Sequence, residues 1–296
     1  MKGQTCVESF EPRMNCVQDA PVTTAIARLL SHLGTKLPPR AIVTDPDAIA
    51  PWLTDWRGRY HGAARAMLEP TDTAEVAAIV AAAADCGVPL VPQGGNTSMV
   101  GGATPPADGS AAILSLRRMN RIRAIEPGMA TVEAGVILAT LHAAAVETGQ
   151  RFPLSLGAKG SATIGGLVST NAGGTQVLRF GTMRALTLGV EAVLPDGSIY
   201  DGLAALRKDN RGYDLGQLLC GAEGTLGVVI AARLRLVPAC PDRLAVAVAC
   251  ESWADAVMLA SRARRDVDGL DRWPCHLDGK LRRRARDART RSCGAT

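Results

Sequence analysis

The 296-residue sequence is poor in aromatic side chains and has no long apolar run. Trp, Tyr and Phe make up 3% of the residues, so a packed core has to rely on Ala, Val, Leu and Ile. The most apolar window, residues 76–91, is broken by Asp85, Gly87 and Pro89, whereas a bilayer span needs about 20 apolar residues. The sequence therefore predicts no membrane span. A content of 47% hydrophobic and 21% charged residues is typical of a soluble globular protein.

Metal-binding and secretory signatures are missing as well. The eight cysteines form no CxxC pair, the four histidines are scattered, and no HExxH sequence occurs. We therefore expect neither a disulfide framework nor a metal site. Residues 1–16 contain no apolar core and do not form a secretory signal. These absences make the cytoplasm the expected location.

Positive charge is concentrated at the end of the chain. Residues 262–296 carry eleven Lys and Arg against five Asp, which leaves 22 basic and 23 acidic residues in positions 1–261. A nearly neutral body, with no aromatic residues beside the arginines of residues 282–291, predicts no nucleic-acid binding. Because residues 262–296 offer little apolar surface to bury, we expect them to form a disordered basic tail.

Local signals alternate between helices and short strands. Residues 22–33 predict a helix that Gly34 ends, and Asp72 with Glu75 predicts the start of a helix that Gly87 ends. Without a regular βαβ repeat, this order predicts an α+β fold. Strands are predicted over residues 88–91, 113–116, 121–125, 131–134, 189–194, 198–200 and 225–237, and a further helix over residues 136–148.

The first of three glycine-rich segments, segment one, covers residues 92–102 (PQGGNTSMVGG) and follows a predicted strand. Its glycines can adopt positive φ and expose consecutive N–H groups, which favours a nest for an anion. Asn96, Thr97 and Ser98 add side-chain donors suited to phosphate oxygens. The segment is neither a Walker loop nor a GxGxxG fingerprint. An ordinary glycine-rich turn is the alternative.

Segment two covers residues 153–174 (PLSLGAKGSATIGGLVSTNAGG) and carries almost no charge. Its small residues allow a backbone wall against a large, flat, polar ligand. A crossover at which small residues pack is the alternative. Segment three, residues 221–229 (GAEGTLGVV), is a glycine turn that opens a strand and is a weak signal alone.

Taken together and in this order, the three segments resemble the FAD-linked oxidase family, whose flavin domain is shared with p-cresol methylhydroxylase and vanillyl-alcohol oxidase. Further matches are TDWRGRY at 54–60, RFGT at 179–182, LPDG at 194–197 and GYDL at 212–215. The similarity runs from about Leu53 to Pro238 and is greatest to D-2-hydroxyacid dehydrogenases that act on D-lactate, D-2-hydroxyglutarate or glycolate. It implies an N-terminal segment over residues 1–52 and a two-lobed α+β FAD-binding domain of the p-cresol methylhydroxylase type over residues 53–240.

The resemblance also implies which residues hold FAD. Segment one would cradle the diphosphate, segment two would line the isoalloxazine and ribityl chain, and segment three would close the adenosine side. Since QGGNTS contains no His, and His61 and His142 lie outside the segments, we expect non-covalent FAD. The implied contact residues are Pro92, Gly94, Gly95, Asn96, Thr97, Ser98, Gly101, Gly102, Pro153, Gly157, Gly160, Ser161, Ile164, Gly165, Gly166, Ser169, Asn171, Ala172, Gly173, Glu223, Gly224, Gly227 and Val229.

The sequence departs from the family at several points. Phe180 and Ala222 stand where the family commonly has Tyr and Ser. The similarity ends near residues 240–260, so residues 241–261 would begin an incomplete cap domain, and the His and Glu residues that bind substrate or metal in the family have no counterpart.

The resemblance implies oxidation of a small-molecule D-2-hydroxy acid by hydride transfer to flavin, with an unidentified electron acceptor and no assigned catalytic residue. Two alternatives stay open. One is a catalytically silent FAD-binding fragment, and the other is an alcohol or amino-sugar oxidoreductase on the same flavin domain.

Overall fold

The computed structural model of the chain describes residues 22–204, 212–240, 246, 248–267 and 270. The expected loose start at residues 1–20 and the part of the expected tail at residues 271–296 lie outside these ranges. None of the described helices has the length and apolarity needed to cross a membrane.

The predicted helices are present, and their ends follow local capping rules. The Asp72 carboxylate accepts the N–H of Glu75 at the start of α3, and Gly87, with φ 68°, ends that helix. Two short 3₁₀ helices cover Pro39–Ala41 and Ala50–Trp52. The α-helices in the described ranges are α1 (Val22–Gly34), α2 (Pro46–Ile49), α3 (Thr73–Cys86), α4 (Leu138–Glu147), α5 (Ile164–Ser169), α6 (Val177–Phe180), α7 (Met183–Leu186), α8 (Leu215–Leu219) and α9 (Trp253–Asp266).

The predicted strands are present as well, with ends that shift by a few residues. The longest prediction, residues 225–237, is divided into two strands in the structure. The strands are β1 (Ile42–Val43), β2 (Met67–Leu68), β3 (Leu90–Gln93), β4 (Ala112–Ser115), β5 (Ile122–Glu126), β6 (Met129–Glu133), β7 (Gln150–Arg151), β8 (Thr187–Val193), β9 (Ile199–Asp201), β10 (Val228–Arg235) and β11 (Val237–Pro238).

The local structure differs from the sequence analysis at two places. Segment two contains a helix, α5, that the sequence analysis did not predict. The basic tail does not begin at residue 262, because α9 continues to Asp266. The Ser252 side chain accepts the N–H of Asp255 at the start of α9, and Arg264 and Arg265 in its last turn interact favourably with the helix dipole.

The strands form two principal sheets, which we call the first and second lobes together with their helices. In the first sheet the order is β1-β2-β4-β3, with β4 parallel to both β2 and β3. In the second sheet the order is β5-β6-β10-β8-β9, and every pairing is antiparallel. β7 and β11 form a separate antiparallel pair.

Strand β10 joins the two hydrophobic cores. Val229 and Ala232 belong to the core of the second lobe, where they pack with α4 and α5. Val228 and Ile230 belong to the core of the first lobe, beside α1 and α3. Successive side chains of a strand point to opposite faces, so a strand buried on both faces is apolar throughout. The second sheet is therefore sandwiched between the first lobe and its own helices.

A chain of charged groups crosses between the lobes. Glu133 is fully buried on β6 and accepts the backbone N–H of Arg121 at 2.9 Å and its Nε–H at 3.0 Å. Arg123 reaches both Glu133, at 3.4 Å, and Glu191 on β8. Glu191 in turn accepts the hydroxyl of Thr73 in α3 at 2.5 Å. This network links the second sheet to a helix of the first lobe.

Candidate functional site

Segment one leaves the end of β3 and lies directly against segment two. A Cβ atom on Gly94 would lie 2.1 Å from Oγ1 of Thr163, and one on Gly95 would lie 1.8 Å from the carbonyl oxygen of Ser161. Both distances are far below van der Waals contact, so only glycine allows this approach. Neither glycine has the positive φ that we expected of the segment. Close packing between the two loops is what requires glycine at both positions.

A neighbouring loop, residues 54–60, braces segment one from another side. Nδ2 of Asn96 donates to the carbonyl of Thr54 at 2.8 Å, and a Cβ atom on Gly101 would lie 2.8 Å from the ring of Tyr60. The buried carboxylate of Asp55 accepts three backbone N–H groups of its own loop. These hydrogen bonds lower the pKa of Asp55, and the bond from Tyr60 has the largest effect. Burial acts in the opposite direction and raises this pKa. Residues 54–60, the TDWRGRY match, thus form a loop that holds segment one in place.

Segment two is partly core and partly open backbone. Ile164 is fully buried, and a Cβ atom on Gly165 would lie 2.6 Å from that of Ala134. In contrast, a Cβ atom on Gly157 or Gly160 would meet no atom within 4 Å. The helix α5 therefore anchors the segment in the second lobe, while the stretch before it leaves room beside its main chain.

The end of segment two is held in a left-handed turn. Asn171 has φ 46°, and its Oδ1 accepts the backbone N–H of Arg184 at 2.9 Å. The carbonyl of the next residue, Ala172, accepts the N–H of Met183 at 2.9 Å. Since Met183 and Arg184 begin α7, that helix fixes the end of the segment.

Segment three is hydrogen-bonded to segment two and touches segment one. The N–H of Gly221 donates to the carbonyl of Val168 at 3.0 Å, and that of Glu223 donates to the carbonyl of Ser169 at 2.9 Å. The carboxylate of Glu223 lies 3.2 Å from the position of a Cβ atom on Gly102. The three segments, far apart in the sequence, therefore meet at one place.

Each segment contains one strained backbone position. In the described part of the chain, the residues other than glycine with positive φ are Asn96, Asn171 and Glu223, with φ 50°, 46° and 52°. A left-handed conformation costs an L-residue about 1 kcal/mol or more, and such positions cluster at ligand sites. That each segment contains one of them indicates that they share a binding function.

Two cavities open beside segment one. The smaller, about 230 Å³, has Pro92 and segment three in its wall, and a Cβ atom on Gly224 would lie 3.1 Å from the Pro92 ring. The larger has a volume of about 580 Å³ and contacts segments one and two. Its lining residues are Trp52, Gly95, Arg117, Asn120, Gly135, Val136, Ile137, Thr140, Gly160, Ser161 and Thr163.

Several lining residues of the larger cavity were not predicted. The Arg117 guanidinium lies 3.5 Å from the ring centroid of Trp52, a cation–π contact, and also pairs with Glu69 at 2.9 Å. Asn120 and Thr140 come from other elements of the fold. No sequence pattern joins these positions, because only the tertiary fold places them at one cavity.

The larger cavity contains an unsatisfied polar group. Thr163 is 4% exposed, and its hydroxyl has no hydrogen-bond partner within the described residues. Leaving such a group buried and unpaired costs about 1–3 kcal/mol. Oε1 of Gln93, at the entry to segment one, is in the same condition. Because Thr163 lines the larger cavity, its hydroxyl suits a polar group of a ligand there, such as the diphosphate or the ribityl chain of FAD.

Most of the predicted contact residues reach the protein surface, but five do not. The side chains of Pro153, Ile164 and Val229 are buried, as are Gly165 and Gly227, so these residues support the site from beneath. Those that are at least partly accessible are Pro92, Gly94, Gly95, Asn96, Thr97, Ser98, Gly101, Gly102, Gly157, Gly160, Ser161, Gly166, Ser169, Asn171, Ala172, Gly173, Glu223 and Gly224.

The two histidines nearest to the segments have other partners. Nε2 of His142, in α4, lies 2.9 Å from the carbonyl oxygen of Leu154, and burial lowers the pKa of this imidazole. Nδ1 of His61 lies 3.2 Å from the hydroxyl of Thr54. Neither ring belongs to the three segments.

A family match identifies the region that contains this site. Residues 64–202 match the protein family described as FAD binding domain. We call this region the FAD binding domain after the family that it matches. It contains segments one and two, and its cofactor is FAD. The sequence prediction of that cofactor is confirmed.

Relatives extend the similarity on both sides of the FAD binding domain. The chain is 41% identical over 252 residues to the mitochondrial D-2-hydroxyglutarate dehydrogenase of Bos taurus, covering 84% of this chain and 46% of that protein. It is 43% identical over 202 residues to the putative mitochondrial D-lactate dehydrogenase of Schizosaccharomyces pombe, covering 68% and 37%. The chain thus spans less than half the length of these curated relatives.

A solved structure shares the fold of the FAD binding domain. An alkyldihydroxyacetonephosphate synthase matches with a TM-score of 0.64 at 20% identity, covering 72% of this chain and 40% of that one. The predicted α+β fold of the FAD-linked oxidases is therefore confirmed. One expectation is overturned: both relatives are named as mitochondrial, which contradicts the cytoplasmic location that we expected from the absence of targeting signals.

Proposed function

We propose that this chain is the flavin-binding part of an FAD-dependent oxidoreductase that converts a small D-2-hydroxy acid to the 2-oxo acid. The observation that carries the proposal is the convergence of the three segments, each with one strained residue, in and beside the FAD binding domain. The reaction class is supported by the relatives named D-2-hydroxyglutarate dehydrogenase and D-lactate dehydrogenase.

The residues of the site suit the parts of the cofactor. Bound FAD supplies the hydride acceptor, while the protein provides binding and orientation. Main-chain N–H groups of residues 94–98 bind the diphosphate, since segment one contains no charged side chain. The hydroxyl of Thr163 supplies a hydrogen bond that the protein leaves unused. The open main chain at Gly157 and Gly160 receives the flat ring system.

The substrate side of the reaction needs a base and a clamp for the carboxylate. We assign no described residue to either role. His142 is a poor candidate, because its Nε2 faces a backbone carbonyl and burial disfavours its charged form. The electron acceptor is likewise unassigned.

We propose that FAD is bound without a covalent link. Segment one contains no histidine, and the nearest histidines are engaged with Leu154 and Thr54. Acid precipitation of the flavin-loaded chain should therefore release the flavin into the supernatant. Yellow colour retained in the pellet would contradict non-covalent binding.

The experiment that tests the function combines flavin binding with turnover. The purified chain is loaded with FAD, its flavin content is measured, and dye reduction is followed with D-lactate, D-2-hydroxyglutarate and glycolate. Stoichiometric FAD with reduction by one of these acids supports the proposal. Bound FAD without reduction by any of them favours the silent flavin-binding alternative, and reduction by a simple alcohol or an amino sugar instead favours another oxidoreductase. Absence of FAD binding contradicts all three.

A further inference from the structure

One arginine outside the predicted contact set reaches two parts of the site. The guanidinium of Arg184, in α7, donates through one nitrogen to the main-chain carbonyl of Gln217 and, at 3.3 Å, to its side-chain oxygen. Through the other terminal nitrogen it donates to the carbonyl of Cys220. Cys220 immediately precedes segment three, and Gln217 lies in α8, the helix before it.

These acceptors lie at the end of the short helix α8. The last carbonyls of a helix have no partner within the helix and need one from elsewhere. A guanidinium is suited to this position because its planar fork donates to two oxygens at once, and its charge is favourable at the carboxyl end of a helix dipole. Arg184 therefore orients the turn that leads from Cys220 into segment three.

The main chain of the same residue holds segment two. The N–H of Arg184 donates to the side chain of the left-handed Asn171 at 2.9 Å. Gly221, with φ 87°, fits between the two: a Cβ atom there would lie 3.2 Å from the Arg184 guanidinium and 3.3 Å from Cβ of Asn171. Two residues further on, Glu223 adopts its own left-handed conformation. Arg184 thus contacts one of the three strained positions, Asn171, and also holds the turn that leads to another, Glu223.

We propose that Arg184 is a positioning residue for the flavin, which holds the end of segment two and the start of segment three in one fixed arrangement. This inference rests on the proposed function, since it assumes that both segments contact FAD. Arg184 acts through its neighbours and is not itself assigned a contact with the cofactor.

The test compares Arg184 with a second arginine of similar contacts. Arg118 also donates its guanidinium to a main-chain carbonyl, that of Arg40 at 2.9 Å, and neither of these two residues belongs to the three segments. R184A, R184M, R184K and R118A are made in the full chain, with R184M retaining an unbranched aliphatic side chain. The Kd for FAD, the visible absorption spectrum of the bound flavin and the melting temperature of the flavin-free chain are measured for each.

Loss of the guanidinium should weaken FAD binding by about tenfold or more and alter the flavin spectrum, while R118A binds FAD as the wild type does. R184K should resemble R184A more than the wild type, because an ammonium keeps the charge without the fork. If R184A fails to fold, R184M decides the outcome.

Two results would overturn the assignment. The first is an Arg184 variant that binds FAD within about twofold of the wild type with an unchanged spectrum, which refutes the role of Arg184 and leaves the proposed function standing. The second is a loss of FAD affinity that is equal in R118A and follows the melting temperature, since it would show a general stability effect. A wild-type chain that binds no FAD would instead refute the proposed function, and this inference with it.

Discussion

The glycines of segment one and those near the start of segment two serve opposite purposes. Gly94 and Gly95 are closed in, because a Cβ atom at either would collide with segment two. Gly157 and Gly160 are open, because a Cβ atom on either would meet no other atom within 4 Å. The first pair allows two loops of the protein to touch, whereas the second pair leaves room that the protein does not fill.

Glycine therefore meets two different requirements in these segments, close contact between loops in one and space beside the main chain in the other. A closed glycine is required by the folded chain whether or not a ligand binds. An open glycine is required only if something else occupies the space beside it. Substitutions at the two kinds of position should therefore separate folding from FAD binding.

The largest effect is expected at the closed position with the shortest contact. Gly95→Ala would place its Cβ atom 1.8 Å from the carbonyl oxygen of Ser161, so a loop must move. Overpacking of this kind costs about 3 kcal/mol at the upper end of its usual range. We expect urea unfolding of the flavin-free chain to show that loss, together with loss of FAD binding. Gly34→Ala, which meets nothing within 4 Å, is the matched control. Equal stability of the two variants would show that the contact with Ser161 does not require glycine at position 95.

The next effect concerns Glu133, which belongs to the charged network that links the two lobes. Burial acts to raise the pKa of Glu133, but the hydrogen bonds and charges of Arg121 and Arg123 outweigh it and leave the pKa lowered from 4.5. A lowered pKa in the folded state means that Glu133 contributes stability above about pH 4.5, which is lost as the pH falls through the folded-state value.

E133Q tests this contribution, because it removes the titrating group and keeps the side-chain shape. The variant should lose about 2 kcal/mol of unfolding free energy at neutral pH, the order expected for hydrogen bonds to a charged group. Its deficit relative to the wild type should narrow as the solution is acidified below pH 4.5. A deficit that stays constant down to acid unfolding would contradict the role of Glu133.

A smaller effect is expected at Gly165, because its nearest neighbour is farther away than the carbonyl oxygen that closes Gly95. The new methyl group of Gly165→Ala would lie 2.6 Å from Cβ of Ala134. Because Gly165 lies in α5, the higher helix propensity of alanine returns about 1 kcal/mol and offsets part of the crowding. We expect a net loss of about 1 kcal/mol in thermal unfolding. A loss as large as that of Gly95→Ala would show that the longer contact at Gly165 does not lower the cost of crowding.

The smallest effect on stability is expected at the open positions. Gly157→Ala and Gly160→Ala should leave the flavin-free chain unchanged or more stable by up to about 1 kcal/mol, because alanine restricts the unfolded chain. Titration with FAD should nevertheless show weaker binding if the ring system lies against this backbone. Unchanged affinity in both variants would place the ring system elsewhere.

The sequence was informative wherever the signal was local. The Asp72 cap, the Gly87 stop and the alternating apolar residues around Val229 each act within a few residues, and the structure contains the predicted helix and strand at these places. The helix α5 was missed because Gly165 and Gly166 suggest irregular backbone. The helix forms there because burial of Ile164 and neighbouring apolar residues outweighs the low helix propensity of glycine.

By itself the sequence determined the fold class and the three segments, since capping, periodicity and motif order are properties of the linear chain. FAD as the cofactor followed from the family resemblance that these segments carry. The tertiary structure decided why Gly95 must be glycine, where Thr163 is left without a partner, and how Arg184 joins Asn171 to the turn before Glu223. These depend on approaches of a few ångströms between residues far apart in sequence. No local pattern encodes such distances, because they result from packing the two lobes around β10.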